Sequence, residues 1–125
     1  MQILIPVGIG ELYDKISILE IKNERITDAG KLAYVRAELA ELKAVAEAHP
    51  VDMALYQDLK KVNEALWKIE DDIREKEAAG AFDAEFIALA RSVYKNNDER
   101  AALKKKMNLA AGSAIVEVKS YFEKK

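Results

Sequence analysis

Six polar side chains lie on or beside the apolar stripes of expected helices, where they would point into a bundle: Glu20, Asn23, Asn63, Glu70, Asn96 and Arg100. A buried arginine is costly unless a carboxylate or an anionic ligand pairs with it. Its planar fork of donors suits both kinds of partner. These residues are therefore candidates for an internal hydrogen-bonded network or for a pocket that binds an anionic ligand. A third alternative is that the stripe of the fourth helix is exposed to solvent at Asn96 and Arg100. We expect Arg100 to be at least half-buried and to bind Glu20 or Glu70.

Other residues that could support catalysis or metal binding form no site. The one histidine, His49, precedes Pro50 in an expected loop, and the sequence has no cysteine. The acidic run Glu70-Asp71-Asp72 cannot converge on one ion from one helix, because successive helix positions point in different directions. We therefore predict no catalytic residue, no metal site and no cofactor. Whether the protein is an enzyme stays open.

Four segments repeat apolar residues at steps of three and four, the spacing of amphipathic helices. The stripes are Ile9, Leu12, Ile16, Leu19, Asn23 and Ile26; then Leu32, Val35, Leu39, Leu42 and Ala46; then Leu55, Leu59, Val62, Leu66, Ile69 and Ile73; and last Phe82, Phe86, Leu89, Val93, Asn96, Arg100, Leu103 and Met107. Short connections between helices favour antiparallel neighbours. The sequence predicts an all-α fold, an antiparallel bundle of about four helices, in a single domain spanning residues 1–125.

Local signals place the helix boundaries, and they differ from one helix to the next. In chain order they are Gly30 closing the first helix, His49-Pro50 ending the second, Asp52 capping the third, Gly80 ending it, Asp83 capping the fourth with a Phe82–Ile87 hydrophobic staple, and Gly112 ending the fourth. Short extended segments are expected at both termini. Ile3-Leu4-Ile5 is expected to form a short strand, while residues 113–121 suit either a strand or a helical turn.

Two aromatic residues of the third segment suggest an interface. Trp67 lies off its stripe, in one row with Tyr56. Tryptophan and tyrosine are enriched where another surface covers a protein. We therefore predict that the face carrying Tyr56 and Trp67 contacts another surface: the N-terminal strand, the C-terminal tail or a second subunit.

Charge and hydropathy restrict the classes of partner. The formal net charge is −2, and it divides into an acidic region over residues 1–90 and a basic region over residues 91–125. An acidic body repels nucleic acid, so nucleic-acid binding is not expected, and RNA binding through the basic residues 91–125 remains only as a third alternative. The longest uncharged stretch, residues 1–10, is too short to span a membrane and lacks the basic start of a secretory signal. We expect a cytoplasmic protein without membrane contact.

Three blocks of sequence carry a resemblance to a known family. They are residues 10–26 (GELYDKISILEIKNERI), residues 66–74 (LWKIEDDIR) and residues 90–100 (ARSVYKNNDER), and the tail from Gly112 to Tyr121 is similar too. Together they resemble a bacterial domain family of unknown function across nearly the whole chain. The resemblance implies relatives that stand alone or are joined to glycosyltransferase-like and repeat proteins, near cell-surface polysaccharide genes. It also leads us to expect a serine cap where this chain has Gly8.

From these patterns we predict a non-catalytic helical interaction or assembly module that associates with itself or with another protein. An accessory role in cell-surface polysaccharide biosynthesis follows from the resemblance alone. The alternative is a small helical enzyme or anion-binding protein that uses Asn23, Asn96 and Arg100, flanked by Glu20 and Glu70. Helical chorismate-mutase-like proteins bind anions through inward arginines, which supports this alternative by analogy of fold.

Overall fold

Four α-helices account for most of the chain. The computed structural model describes residues 1–112, 118, 120 and 121. Its helices are α1 (Ile9–Arg25), α2 (Ala29–Ala46), α3 (Met53–Ala78) and α4 (Ala84–Ala110). The prediction of an all-α bundle of four helices is therefore confirmed for this part of the chain. None of its helices combines the length and apolar composition needed to cross a lipid bilayer.

Aspartate side chains cap the N-termini of three of the helices. Asp28 accepts a hydrogen bond from the backbone N–H of Lys31 at 2.8 Å, and Asp52 and Asp83 make equivalent bonds at the starts of α3 and α4. Each bond satisfies an N–H group that has no partner inside its helix. The predicted caps at Asp52 and Asp83 are confirmed. Gly30 does not close α1, contrary to expectation, because the cap at Asp28 places it in the first turn of α2.

Glycine ends the two long helices, as predicted. Gly80 follows α3 with φ of +65° and Gly112 follows α4 with φ of +67°. A side chain with a Cβ is strained in this left-handed region, so glycine is the natural residue after a helix end.

Between these two positions, Phe82 packs edge-to-face on Phe86, with ring centroids 5.2 Å apart. Helix α2 ends at Ala46, so His49 and Pro50 lie in the turn that follows it.

The expected N-terminal strand is absent. Residues 1–8 form neither helix nor strand in the described structure, and Ile3, Leu4 and Ile5 are exposed. The prediction was wrong because a strand needs a neighbour that supplies backbone hydrogen bonds. The described residues provide none there. Most of the undecided segment 113–121 lies outside the described residues.

Helix α1 is the centre of the packing. It contacts α2, α3 and α4, and α3 packs along α4, whereas α2 meets no helix but α1 within the described residues. The core lies around α1, and its most buried apolar side chains are Ile16, Leu19, Ile21, Leu59 and Met107. Because three helices surround α1, few of its side chains remain exposed.

Helices α3 and α4 are much longer than the helix that covers them. They have 26 and 27 residues, whereas α1 has 17. At about 1.5 Å per residue, α3 and α4 are each roughly 14 Å longer than α1. The structure describes every residue from 64 to 102, and none of them is buried. We call residues 64–102, with the turn between the helices, the distal arm.

Candidate functional site

A buried carboxylate joins α1 to both long helices. Asp14 is 1% exposed. Its Oδ1 accepts hydrogen bonds from Arg100 Nε and from Asn63 Nδ2, both at 2.9 Å, and its Oδ2 accepts one from Arg100 Nη2. The two bonds from Arg100 make a bidentate pair, the geometry that holds a carboxylate most firmly. Asp14 therefore connects α1 to α3 and α4 at one point.

Ser17 extends this connection by one turn of α1. Its hydroxyl donates to the backbone carbonyl of Asp14 at 2.7 Å and accepts from Asn63 Nδ2 at 2.7 Å. The Asn63 amide thus bridges two residues of α1 from α3. We call Asp14, Ser17, Asn63 and Arg100 the Asp14 network.

A second set of polar contacts lies along the same line between α1 and α4. Lys104 Nζ donates to Glu11 Oε2 at 2.7 Å and is 4.0 Å from Asp14 Oδ2. One turn further along α4, Asn108 Oδ1 accepts from the backbone N–H of Gly10 at 2.8 Å. That bond satisfies an N–H in the first turn of α1, where the N-cap Gly8 offers no side-chain cap. Polar contacts between α1 and α4 therefore run from Arg100 to the first turn of α1.

Gly10 lets the two helices approach closely. A Cβ at this position would lie 2.5 Å from the backbone carbonyl oxygen of Lys104, a distance that real Cβ atoms do not reach. The missing side chain sets the spacing between α1 and α4, which brings Asp14 within reach of Arg100.

The chemistry of this site is that of a satisfied internal network. Every buried side-chain nitrogen and oxygen among the described residues has a hydrogen-bond partner. Buried polar networks that are fully paired fix one arrangement of the elements they join. The described residues contain no group of histidine, cysteine or acidic side chains that could hold a metal ion. The arrangement is thus suited to fixing the register of three helices.

A separate polar cluster joins the other end of α1 to α3. The Tyr56 hydroxyl donates to Glu20, and Lys60 Nζ donates to Glu24 Oε1 at 2.7 Å. Burial raises the pKa of Tyr56 well above its usual value, and the bond to Glu20 raises it further. The bond to Glu24 raises the pKa of Lys60. At neutral pH these groups keep Tyr56 neutral and Lys60 charged, which suits the bonds they make.

The expected partners of Arg100 were wrong, although its burial and pairing were predicted correctly. Its side chain is 29% exposed and binds Asp14. Glu20 bonds Tyr56 and Lys60 instead. Glu70 accepts from Arg74 one turn away on the surface of α3. The carboxylate that binds Arg100 is that of Asp14 on α1. Asp14 lies outside the apolar stripe that the sequence predicts for this helix.

The two asparagines of the expected lane do not join the Asp14 network. Asn23 accepts from Arg36 Nε at 2.9 Å, so it links α1 to α2. Asn96 donates to the carbonyl of Ser92 within α4 and lines a shallow groove with Ala65 and Glu99. The structure therefore separates Asn23 from Arg100, and it turns Asn96 towards another face.

The two residues expected at an interface have different surroundings. Tyr56 is 7% exposed and packs edge-to-face on Tyr13 of α1. Trp67 lies on the same side of α3, three turns further along, and is only half-buried. Helix α1 covers the row at Tyr56, and its last residue, Arg25, reaches Glu64, three residues before Trp67.

Asp14 and Ser17 were not proposed as site residues from the sequence, whereas Asn63 was expected only beside the inward polar residues. A signal was present, because Gly10, Asp14, Ser17 and Ile21 form a second row on α1 at steps of four and three. A helix with packable residues on several sides is enclosed by neighbours. Ser92 and Lys95 were also passed over, although they have the S-x-x-K spacing of some serine nucleophiles. Ser92 donates to the carbonyl of Leu89 at 2.6 Å, a local bond common for serine in helices.

The distal arm continues, without cover, the face that α1 occupies nearer the core. On α3, Trp67 follows Asn63 by four residues, which keeps it on the same side of the helix. On α4, Val93 and Phe86 precede Arg100 by seven and fourteen residues, which also keeps them on one side. The half-buried apolar side chains of this face are Trp67, Ile73, Phe86 and Val93, whereas Leu66 packs against the core. We call this surface the arm face.

Fold and site together define a small helical bundle with a buried polar network at its centre and a two-helix arm. The sequence matches the family of unknown function DUF6165 over residues 3–124, so the chain belongs to that family. The resemblance found from the sequence is thus confirmed as far as the family. Comparisons with curated proteins and with solved structures both gave no match.

Proposed function

We propose that the protein is a non-catalytic helical interaction and assembly module whose contact surface is the arm face. The observation that carries this proposal is the change in burial along α3 and α4. Tyr56, Leu59, Val62 and Asn63 are buried near α1, and no side chain is buried from residue 64 to residue 102, all of which the structure describes. Helices that keep an apolar stripe gain stability when another element covers it.

The Asp14 network supports this proposal by anchoring the arm. Asp14 binds Asn63 on α3 and Arg100 on α4, close to the point where the arm begins. A carboxylate held by a bidentate arginine and an amide is a fixed structural group. The arm therefore projects from a base whose three helices share one paired polar network.

The alternative, an anionic ligand held by Asn23, Asn96 and Arg100, has less support. Asn23 bonds Arg36 on α2, and Arg100 bonds Asp14. A ligand would need these three side chains to converge. For the cellular role, we propose assembly in the cytoplasm in an accessory step of cell-surface polysaccharide biosynthesis, following the resemblance.

Site-specific photo-crosslinking in cells tests the arm face. Tyr94 lies on the distal arm and is 54% exposed, and Tyr34 lies on α2 and is 82% exposed. A photoreactive phenylalanine analogue replaces each tyrosine in turn, with Tyr34 as the matched control. We expect crosslinked adducts from position 94 and few from position 34. No adduct at position 94, or equal adducts at both positions, would contradict the proposal.

A further inference from the structure

The row on α3 that passes Trp67 carries a charge pattern that can pair with itself. Glu70 and Arg74 continue the row from Asn63 and Trp67 at steps of three and four. Both side chains are exposed, and they form an ion pair of 3.2 Å along the helix surface. Exposed pairs of this kind contribute little to the stability of one chain, so they are available for contacts with another.

An antiparallel neighbour of the same sequence would meet this row with opposite charges. If a two-fold axis passes level with the midpoint between the two residues, Glu70 of one copy lies opposite Arg74 of the other, and the match occurs twice. A parallel neighbour in register would place Glu70 opposite Glu70 and Arg74 opposite Arg74. Self-complementarity about a two-fold axis is the property of an isologous interface.

We infer that the arm face binds the arm face of a second copy of this chain, in antiparallel orientation. This inference rests on the proposed function and adds the identity of the partner. Two hairpins packed in this way form a four-helix bundle in which Trp67, Ile73 and Val93 are covered. Bundles of two helical hairpins bury apolar stripes that one hairpin leaves open.

The size of the arm face limits the area that such a dimer can bury. The α3 portion, residues 64–78, is about 22 Å long, and two helices side by side are about 20 Å wide. Two such faces bury roughly 900 Å², near the lower limit of about 1,000 Å² for specific interfaces. The dimer is therefore expected to dissociate reversibly on dilution.

Two single charge reversals test the orientation and the partner together. Glu70→Arg makes both positions of the row positive, and Arg74→Glu makes both negative. Like charges then meet across the axis in each homodimer, which we expect to weaken dimerisation about tenfold or more. A mixture of the two variants restores opposite charges at both contacts, so the heterodimer should form with wild-type strength. Sedimentation equilibrium of the full chain measures the dimer affinity of each single variant and of their mixture. Circular dichroism checks that each variant stays folded.

A matched control separates this contact from general effects of charge. Asp71→Arg changes a neighbouring exposed residue that lies off the row, and it should leave dimerisation within about twofold. Charge reversals that leave self-association unchanged, or a mixture no stronger than the single variants, would overturn the inference. A wild-type chain that stays monomeric at high micromolar concentration would also overturn it. Adducts from position 94 to a different protein would then leave the proposed function standing, whereas no adducts would remove both.

Discussion

Arg100 and Asp14 lie 86 positions apart and share a bidentate ion pair, in which Arg100 Nε donates to Asp14 Oδ1 at 2.9 Å. Asp14 is fully buried and Arg100 is partly open to solvent. The pair fixes α4 against α1, and Asn63 adds α3 to the same carboxylate. The base of the distal arm is therefore held by polar contacts as well as by the apolar core.

Removing the Asp14 carboxylate should destabilise the fold strongly. Asp14→Ala leaves Arg100 and Asn63 without the carboxylate that both bind, and breaking one side of a buried pair costs about 3–5 kcal/mol. Because Arg100 reaches solvent, we expect a loss near the lower end, about 3 kcal/mol. Urea unfolding followed by circular dichroism measures it.

Asp71→Ala is the matched control for this change, because Asp71 is an exposed acidic residue in the middle of α3. Its removal should alter the free energy of unfolding by no more than about 0.5 kcal/mol. Equal stability of the two variants would show that the Asp14 network contributes nothing to the fold.

Adding one methyl group at Gly10 should separate α1 from α4. In Gly10→Ala the new Cβ would meet the Lys104 carbonyl oxygen at 2.5 Å, and backbone atoms cannot move aside alone. Overpacking of this kind costs about 1–3 kcal/mol. Gly30→Ala is the control, since its nearest neighbour is the Asp28 side chain at 3.4 Å. It should be neutral or should stabilise α2 by up to about 1 kcal/mol. Thermal unfolding that ranks Gly10→Ala as the more stable variant would refute the close approach.

Stability should fall at alkaline pH through Tyr56. Its pKa is raised in the folded state above the unfolded value of 10.0, mainly by burial and next by the bond to Glu20. Above that unfolded value, the unfolded chain loses a proton that the folded chain keeps, so the free energy of unfolding decreases as pH rises. Below it, the full contribution is present.

One group titrating in this way gives a slope of at most about 1.4 kcal/mol per pH unit. Tyr56→Phe removes the ionising group and should reduce the alkaline slope, at the cost of the hydrogen bond to Glu20. Chemical denaturation at several pH values between neutral and alkaline compares the two proteins. Identical slopes would contradict the assignment to Tyr56.

The helices and several of their ends could be predicted because their causes are local. Asp52 and Asp83 cap the helices that follow them, and Gly80 adopts the conformation that ends a helix. Gly30 was wrongly predicted to end α1. Asp28, two residues earlier, is the N-cap of α2, so Gly30 is part of that helix.

The site was harder to predict because it depends on which helices meet. The partner of Arg100 was sought among acidic residues near the apolar stripes, and Asp14 lies on another side of α1. That side is buried only because α3 and α4 both pack against it. Periodicity along one helix reports which face is apolar, but it does not report how many neighbours surround the helix.

The central claim, that the arm face is a contact surface between chains, is tested most directly by hydrogen exchange at different protein concentrations. Backbone amides of residues 66–76 and 86–98 should exchange faster than those of residues 56–63 and 103–108 when the protein is dilute, because none of the residues in these two arm segments is buried. Raising the concentration from low to several hundred micromolar should slow exchange in the arm and leave the core segments unchanged. Arm exchange that is independent of concentration would contradict the account.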